Sequence, residues 1–224
     1  MEPIVKLKLN SDFEDYYDSA FAQEGNLTFP RLTSNEIPRK ELYKLIGKHK
    51  LIPPVFGKVK KFIKKIPWEQ AVIVFSNADL HSGGEKTVMS FKEAYKEHPD
   101  KYMSIYSVTE RGESFRYLQI GKEAFFLRYK SDVWDSTKNP KIEVERVEEG
   151  DEIKMKPFDY PMYAVDFVRF EDRFGKEWML AVDFNTAPIL KGTGIEELIA
   201  PFEIVALLQE WYEEQGNKKK GLFR

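Results

Sequence analysis

Asp166, Asp183 and Asn185 are the residues whose types and spacing could do chemistry together. They lie in two alternating segments, Tyr163 to Val168 and Glu177 to Asn185, separated by a charged, Gly-containing turn, which is the pattern of an antiparallel hairpin. Strand side chains alternate between faces, so Ala164 and Asp166 point away from Val165 and Phe167, and Asp183 and Asn185 point away from Leu180, Val182 and Phe184. A reversal at Phe174 and Gly175 predicts Asp166 directly across from Asp183, and Asn185 across from Ala164. Like charges facing each other across a ladder are destabilising. A hard cation between them would remove the conflict, because carboxylate and amide oxygens are ligands that Mg2+ accepts beside phosphate oxygens. A slip of one residue would separate the pair, so this chemistry depends on the register.

Two further groups could bind anions. In His81-Ser82-Gly83-Gly84, followed by Lys86, small residues would let backbone amides approach and cradle a phosphate; the alternative is an ordinary tight turn between strands. Arg116, Arg128 and Lys130 alternate with apolar neighbours, so one face could present several cations to phosphates or to an acyl phosphate; the alternative is a hairpin with a basic outer face. A third cluster, Lys58, Lys60, Lys61, Lys64 and Lys65, surrounds Val59, Phe62, Ile63 and Ile66. Neighbouring stretches carry no comparable excess, which favours a short amphipathic helix with a solvated basic face over a patch for nucleic acid or an acidic membrane.

The elements that must position these residues belong to a chain of 224 residues, enough for one substantial domain or two intimate lobes. A hydrophobic content of 42% with 14% aromatics fits a globular core. Lys and Arg total 35 against 37 Asp and Glu, a net charge of -2, so the molecule as a whole is not an electrostatic nucleic-acid binder. The absence of cysteine excludes disulfides, thiolate metal sites and thiol nucleophiles. No apolar run is long enough to cross a bilayer, and a soluble, cytoplasmic protein is expected.

In chain order, IVKLKL at 4–9 reads as a half-exposed strand, and Pro38 to Gly47 as a helix with Leu42, Leu45 and Ile46 on one face. AVIVF at 71–75 is a buried-strand candidate. Ser90 followed three residues later by Glu93 predicts a capping box opening a helix to His98. Strands are expected at 102–108, 114–120, about 123–130, 142–147 and 152–156. Thr193 and Glu196 spell a second capping box, and Pro201 opens a helix through about Glu214, with Phe202, Val205, Leu208 and Tyr212 on one face and Gly216 at its end.

Three segments carry a family resemblance. VDF at Val165 to Phe167, VDFNTAPIL at Val182 to Leu190 and KGTG at Lys191 to Gly194 resemble the C-terminal metal-binding end of the ATP-grasp superfamily, in particular its small, phage-like members. HSGGEK resembles their loop over the phosphates, and SFRYLQIGKEAFFLRYK at Ser114 to Lys130 their Arg-containing strand and Gly-Lys turn followed by a strand that ends in a basic pair, here Arg128 and Lys130. There are departures. Asp183 stands where Glu is usual, Ile189 replaces the Gly after Pro188, the acidic residue before Arg116 is displaced to Glu113, and no basic residue lies between Lys65 and His81.

The resemblance implies an α+β, two-lobed ATP-grasp fold with mainly antiparallel sheets and a nucleotide cleft. It implies a reduced N-terminal segment at 1–33, a first lobe at 34–108 and a second lobe with the metal hairpin at 109–224. It further implies an ATP- and Mg2+-dependent ligase joining a carboxylate to an amine through an acyl phosphate, acting on small-molecule or peptide substrates. Asp166, Asp183 and Asn185 would hold Mg2+, while Arg116 and Lys130 would neutralise charge on the transferred group. His81, Ser82, Gly83, Gly84, Lys86 and Arg128 would bind phosphates, with the adenine near Tyr106, Ser107 and Val108. Small members often pair, which admits a homodimer. The departures motivate an alternative, in which the fold persists without catalysis as a nucleotide-binding or protein-interaction module.

Overall fold

Pro38, with φ fixed at -55°, starts helix α1 (Arg39–Lys48), and Glu41 and Lys48 sit at the ends that suit their charges. The computed structural model describes residues 37–80, 84–105, 112–131, 141–146, 153, 155–171, 174–186, 188, 190 and 193–221. Residues 39, 42, 43 and 46 recur at helical spacing, and all four are buried: Leu42, Tyr43 and Ile46 as core, and Arg39 with them.

Four strands form the first sheet: β1 (Val55–Lys58), β2 (Ala71–Phe75), β3 (Lys86–Ser90) and β4 (Tyr102–Ile105), in the order β1-β4-β2-β3 with every neighbour antiparallel. AVIVF is β2, one of the two interior strands, as its apolar run suggests. Val72 and Val74 pack with Val59, Ile66, Met103, and Phe91 and Ala94 of α2 (Phe91–Glu97). Both bonds of the expected capping box open α2, Glu93 N–H to Ser90 Oγ at 3.2 Å and Ser90 N–H to Glu93 Oε2 at 3.0 Å.

The second sheet has five antiparallel strands: β5 (Gly112–Ile120), β6 (Glu123–Ser131), β7 (Lys141–Arg146), β8 (Met162–Glu171) and β9 (Glu177–Asn185), in the order β7-β6-β5-β8-β9. It is covered on both faces. On one, Leu118, Ile120, Phe125, Leu127, Met162 and Ala164 pack with Ile204, Val205 and Leu208 of helix α3 (Pro201–Gly221). On the other, Phe115, Tyr163, Val165, Phe167, Ala181 and Phe184 pack with Leu42, Tyr43 and Ile46 of α1. Fully burying one Leu or Ile side chain is worth about 1.5–3 kcal/mol, so the interleaved apolar positions of β5 and β8 fix which way each strand faces.

The layout is the expected α+β one, with several local differences. The lysine-rich stretch is not a helix of the expected length: it is the end of β1 and a single 3-10 turn, Val59–Phe62, with Val59 buried and Lys61, Lys64 and Lys65 exposed. Lys60 is tied to Asp100 at 2.6 Å. The described residues of 152–156 belong to no strand, because Lys156 bonds the end of α1 instead, its N–H donating to His49 O at 2.9 Å. Thr193 and Glu196 do not form a capping box: Gly194 occupies the cap of a short 3-10 turn, Ile195–Glu197, and the Thr193 hydroxyl donates back to Leu190 O. Helix α3 continues through Gly216 to Gly221, a good helix start and apolar stripe outweighing one glycine at about 1 kcal/mol. The strand expected at 4–9 lies outside the described residues. No described helix is long and apolar enough to cross a membrane.

Candidate metal and nucleotide site

The hairpin of β8 and β9 places Asp166 across from Asp183 and Asn185 across from Ala164, as the turn at Phe174 and Gly175 predicts. This register is not continuous. Near the turn Glu171 faces Glu177 and Phe167 faces Ala181, so without a correction Asp166 would face Val182. Val182 is a bulge: one extra residue that restores the alignment of the carboxylates. The same bulge changes parity along β9. Ala181, rather than Leu180 or Val182, therefore shares the core face with Phe184.

Each carboxylate of the facing pair has an arginine. On the neighbouring strand β5, Arg116 aligns with Asp166 and binds it through two bonds, Nε to Oδ1 at 2.7 Å and Nη2 to Oδ2 at 3.0 Å. Asp166 beside it raises the guanidinium's pKa further, against the opposing effect of burial. Arg39 of α1 approaches Asp183 Oδ1 to 3.7 Å. The repulsion expected between the two aspartates is thus offset in the protein itself. Asp166 and Asp183 nevertheless keep 31% and 27% of their side-chain surface exposed, which leaves oxygen accessible to a ligand.

Asp166, Asp183 and Asn185 supply two carboxylates and an amide from adjacent strands on one face, an all-oxygen donor set of the kind Mg2+ takes together with phosphate and water. No group of three or more His, Cys, Asp or Glu that could hold a metal occurs among the described residues, so a metal here would depend on the amide and on a ligand's own oxygens. On the same face, Tyr129 carries a buried hydroxyl with no hydrogen-bond partner among the described residues, its pKa raised by burial. Such a group is ordinarily satisfied, and this one lies near enough to Arg116 and Asp166 to feel both charges.

Arg116 does not share a face with Arg128 and Lys130. The two-residue turn between β5 and β6 pairs even-numbered residues with odd-numbered ones: Arg116 faces Leu127, Arg128 faces Phe115 and Lys130 faces Glu113. Equal parity on the two strands therefore means opposite faces, which corrects the expectation of a single cationic face. Arg128 instead binds Glu113 through Nε and Nη2, at 2.9 and 2.6 Å, and lies with Arg169 over the Phe115 ring.

In the glycine loop, Gly84 has φ +63°, and a Cβ there would come within 2.5 Å of Ser76 Oγ. Lys86 follows on β3, aligned with Phe75 at the end of β2. His81, Ser82 and Gly83 lie outside the described residues, as do Tyr106, Ser107 and Val108. Strand β2 carries no cation itself, but Lys101 Nζ donates to Ser76 O at 2.7 Å, and the Arg39 guanidinium stands 5.4 Å from the Phe75 ring centre.

The sequence reading missed Arg39. It occupies the apolar stripe of α1 at the spacing of Leu42, Tyr43 and Ile46, and a charged residue on such a stripe was the available signal. Tyr129 gave no comparable signal, since its unpaired hydroxyl follows from tertiary packing.

This is the ATP-grasp fold. Solved structures with TM-scores of 0.52 include the ATP-grasp ligase PsnB complexed with a minimal precursor, 12% identical, covering 79% of this chain and 61% of that one. The D-alanine-D-alanine ligase from Coxiella burnetii, also 12% identical at a TM-score of 0.52, covers 93% of this chain and 66% of its own. A RiPP-associated ATP-grasp ligase from Chryseobacterium gregarium, in complex with ADP and a leader and core peptide, is 9% identical at a TM-score of 0.52 and covers 93% and 95%. The chain thus spans less than two thirds of the length of the first two. No family model matches the sequence, and neither does any curated protein.

Proposed function

We propose that the protein is an ATP- and Mg2+-dependent ligase that joins a carboxylate to an amine. The observation that carries this reading is the alignment of Arg116, Asp166 and Asp183 across three adjacent strands of an ATP-grasp sheet, with Asn185 two residues further along the same face. Asp166, Asp183 and Asn185 would hold Mg2+, which when bound supplies a Lewis acid for the phosphate oxygens. Arg116 sets the orientation of the Asp166 carboxylate and adds a fixed positive charge where charge builds on the transferred phosphoryl group. Backbone amides around Gly84, with Lys86 and Lys101 nearby, would orient the polyphosphate.

The reaction balances without a protein nucleophile. A carboxylate oxygen attacks the γ-phosphorus of ATP, the bond to the β-phosphate oxygen breaks, and ADP and an acyl phosphate form. The amine nitrogen then attacks the acyl carbon, inorganic phosphate leaves and the nitrogen gives up a proton. Small-molecule and peptide acids both suit the reading, since two of the similar structures hold a precursor or a leader and core peptide. Lys130 and Arg128 lie on the opposite face and would meet a different part of a substrate.

A specific observation favours a second reading, a nucleotide-binding module without turnover: both oxygens of Asp166 are engaged by Arg116, and β2 lacks a cation of its own. One experiment separates the two. The full chain is incubated with ATP, Mg2+ and mixtures of candidate acids and amines, and ADP and phosphate are followed. Acid- and amine-dependent release supports the ligase; Mg2+-dependent ATP binding with no release under any mixture supports the module.

A further inference from the structure

We infer that Arg39 is a positioning residue for Asp183, acting from helix α1 through the β9 bulge; this rests on the proposed metal role of Asp183. Arg39 is 1% exposed, yet its guanidinium has a single hydrogen bond among the described residues: Nη1 donates to the carbonyl of Val182 at 2.8 Å. Val182 is the extra residue that returns Asp183 to the position across from Asp166. The same Nη1 stands 3.7 Å from Asp183 Oδ1, a contact of charge, and that oxygen accepts a hydrogen bond from the Phe184 N–H at 3.0 Å. Arg39 thus grips the bulge at its carbonyl and supports the carboxylate that the bulge presents.

The grip is anchored at the other end as well. The Arg39 backbone N–H donates to Ala78 O at 2.9 Å, in the segment that follows β2, and the side chain is held between the rings of Tyr43 and Phe75 at 5.7 and 5.4 Å. Through one residue, then, the segment after β2 of the first sheet is joined to the candidate metal strand of the second. Nε and Nη2 are buried without partners among the described residues, and each such donor left unsatisfied costs about 1–3 kcal/mol. A Leu or Met at this position of the α1 stripe would avoid that cost, so stability alone does not account for an arginine here.

The consequence lies in metal affinity. Groups that orient a metal's ligands change its affinity by roughly ten- to a hundredfold when removed. The test compares the full-length wild type with Arg39→Met and Arg39→Lys, measuring ATP binding by calorimetry over a Mg2+ series and again in chelator, with circular dichroism to verify folding. Arg39→Met is expected to raise the Mg2+ concentration for half-maximal ATP binding at least tenfold, while changing chelator-phase ATP affinity less than twofold. Arg39→Lys, whose ammonium can still donate to Val182 O, should recover part of the loss, and serves alone if the methionine variant does not fold. An unchanged Mg2+ requirement in the folded variants overturns the inference, as does an equal loss with and without Mg2+, which would place Arg39 on the nucleotide instead. Wild type with no Mg2+-dependent binding removes the underlying site and this proposal together, an outcome visible before any variant is made.

Discussion

Arg116 and Asp166 are partners twice over: they are aligned across β5 and β8, and their side chains form a two-bond ion pair with Nε–Oδ1 at 2.7 Å and Nη2–Oδ2 at 3.0 Å. Because Asp183 faces Asp166 from the other side, Arg116 also relieves a like-charge pair. Arg116→Met keeps the length of the side chain and removes the charge. The fold should lose about 1–3 kcal/mol, the range for hydrogen bonds to charged groups, in urea unfolding without metal. Millimolar Mg2+ should restore part of that loss in the variant more than it stabilises the wild type, since the cation takes over the screening of the two carboxylates. Equal effects of Mg2+ on both proteins would show that the carboxylates do not bind it.

Asp183 faces Asp166 across the hairpin, and Arg39 Nη1 stands 3.7 Å from its Oδ1, a contact of charge rather than a hydrogen bond. Asp183→Ala should weaken Mg2+-dependent ATP binding by at least tenfold in calorimetry and leave the melting temperature within a few degrees of wild type. Asp183→Glu, which lengthens the same carboxylate, should retain more of the binding than alanine does. Unchanged binding in Asp183→Ala would separate this hairpin from the nucleotide.

Gly84 sets the exit of the glycine loop into β3. Its φ of +63° is the left-handed region, and an added Cβ would meet Ser76 Oγ at 2.5 Å and Asn77 N at 3.4 Å. Gly84→Ala should cost about 1–2 kcal/mol from the backbone alone and displace the turn that Ser76 N–H closes on Glu85 O. If the loop cradles phosphates, ATP affinity should fall more than affinity for adenosine. A proportional loss of both would mean that the loop serves only as a turn.

Much of this architecture was legible because it rests on alternation and on local chemistry. AVIVF is the buried strand its apolar run suggests, the Ser90–Glu93 spacing closes as written, and the two segments about Phe174 and Gly175 do pair with Asp166 across from Asp183. What the sequence hides is where a single residue changes parity. The Val182 bulge rescues the register of the site while moving Ala181 onto the core face, and a two-residue turn sends Arg128 and Lys130 away from Arg116. Neither depends on composition, since both follow from how the strands count past a turn or a kink. Arg39 was hidden differently: the α1 stripe was read for its apolar members, and the charged member of the same stripe reaches a strand more than 140 residues away in sequence, the Val182 bond spanning 143 positions.

Gly121 and Lys122 make the turn between β5 and β6, and the reason for this pair lies in helix α3. Gly121 has φ +57°, and a Cβ on it would come within 2.6 Å of the Leu207 carbonyl oxygen, so the turn lies directly against the helix backbone. Lys122 reaches the same helix one turn further on, binding Glu210 at 3.0 Å and also Glu214, and these partners raise its pKa. The two contacts differ in what they contribute. The Lys122 pairs are exposed and screened by solvent, so Lys122→Ala should shift stability little and less still at high salt. Gly121→Ala combines left-handed strain of about 1–2 kcal/mol with a clash against backbone that cannot rotate away. It should cost at least about 2 kcal/mol in urea unfolding and loosen α3, read as faster amide exchange between Ile204 and Leu208, where the helix packs on the sheet. A neutral Gly121→Ala would show that α3 is not held against this turn in solution.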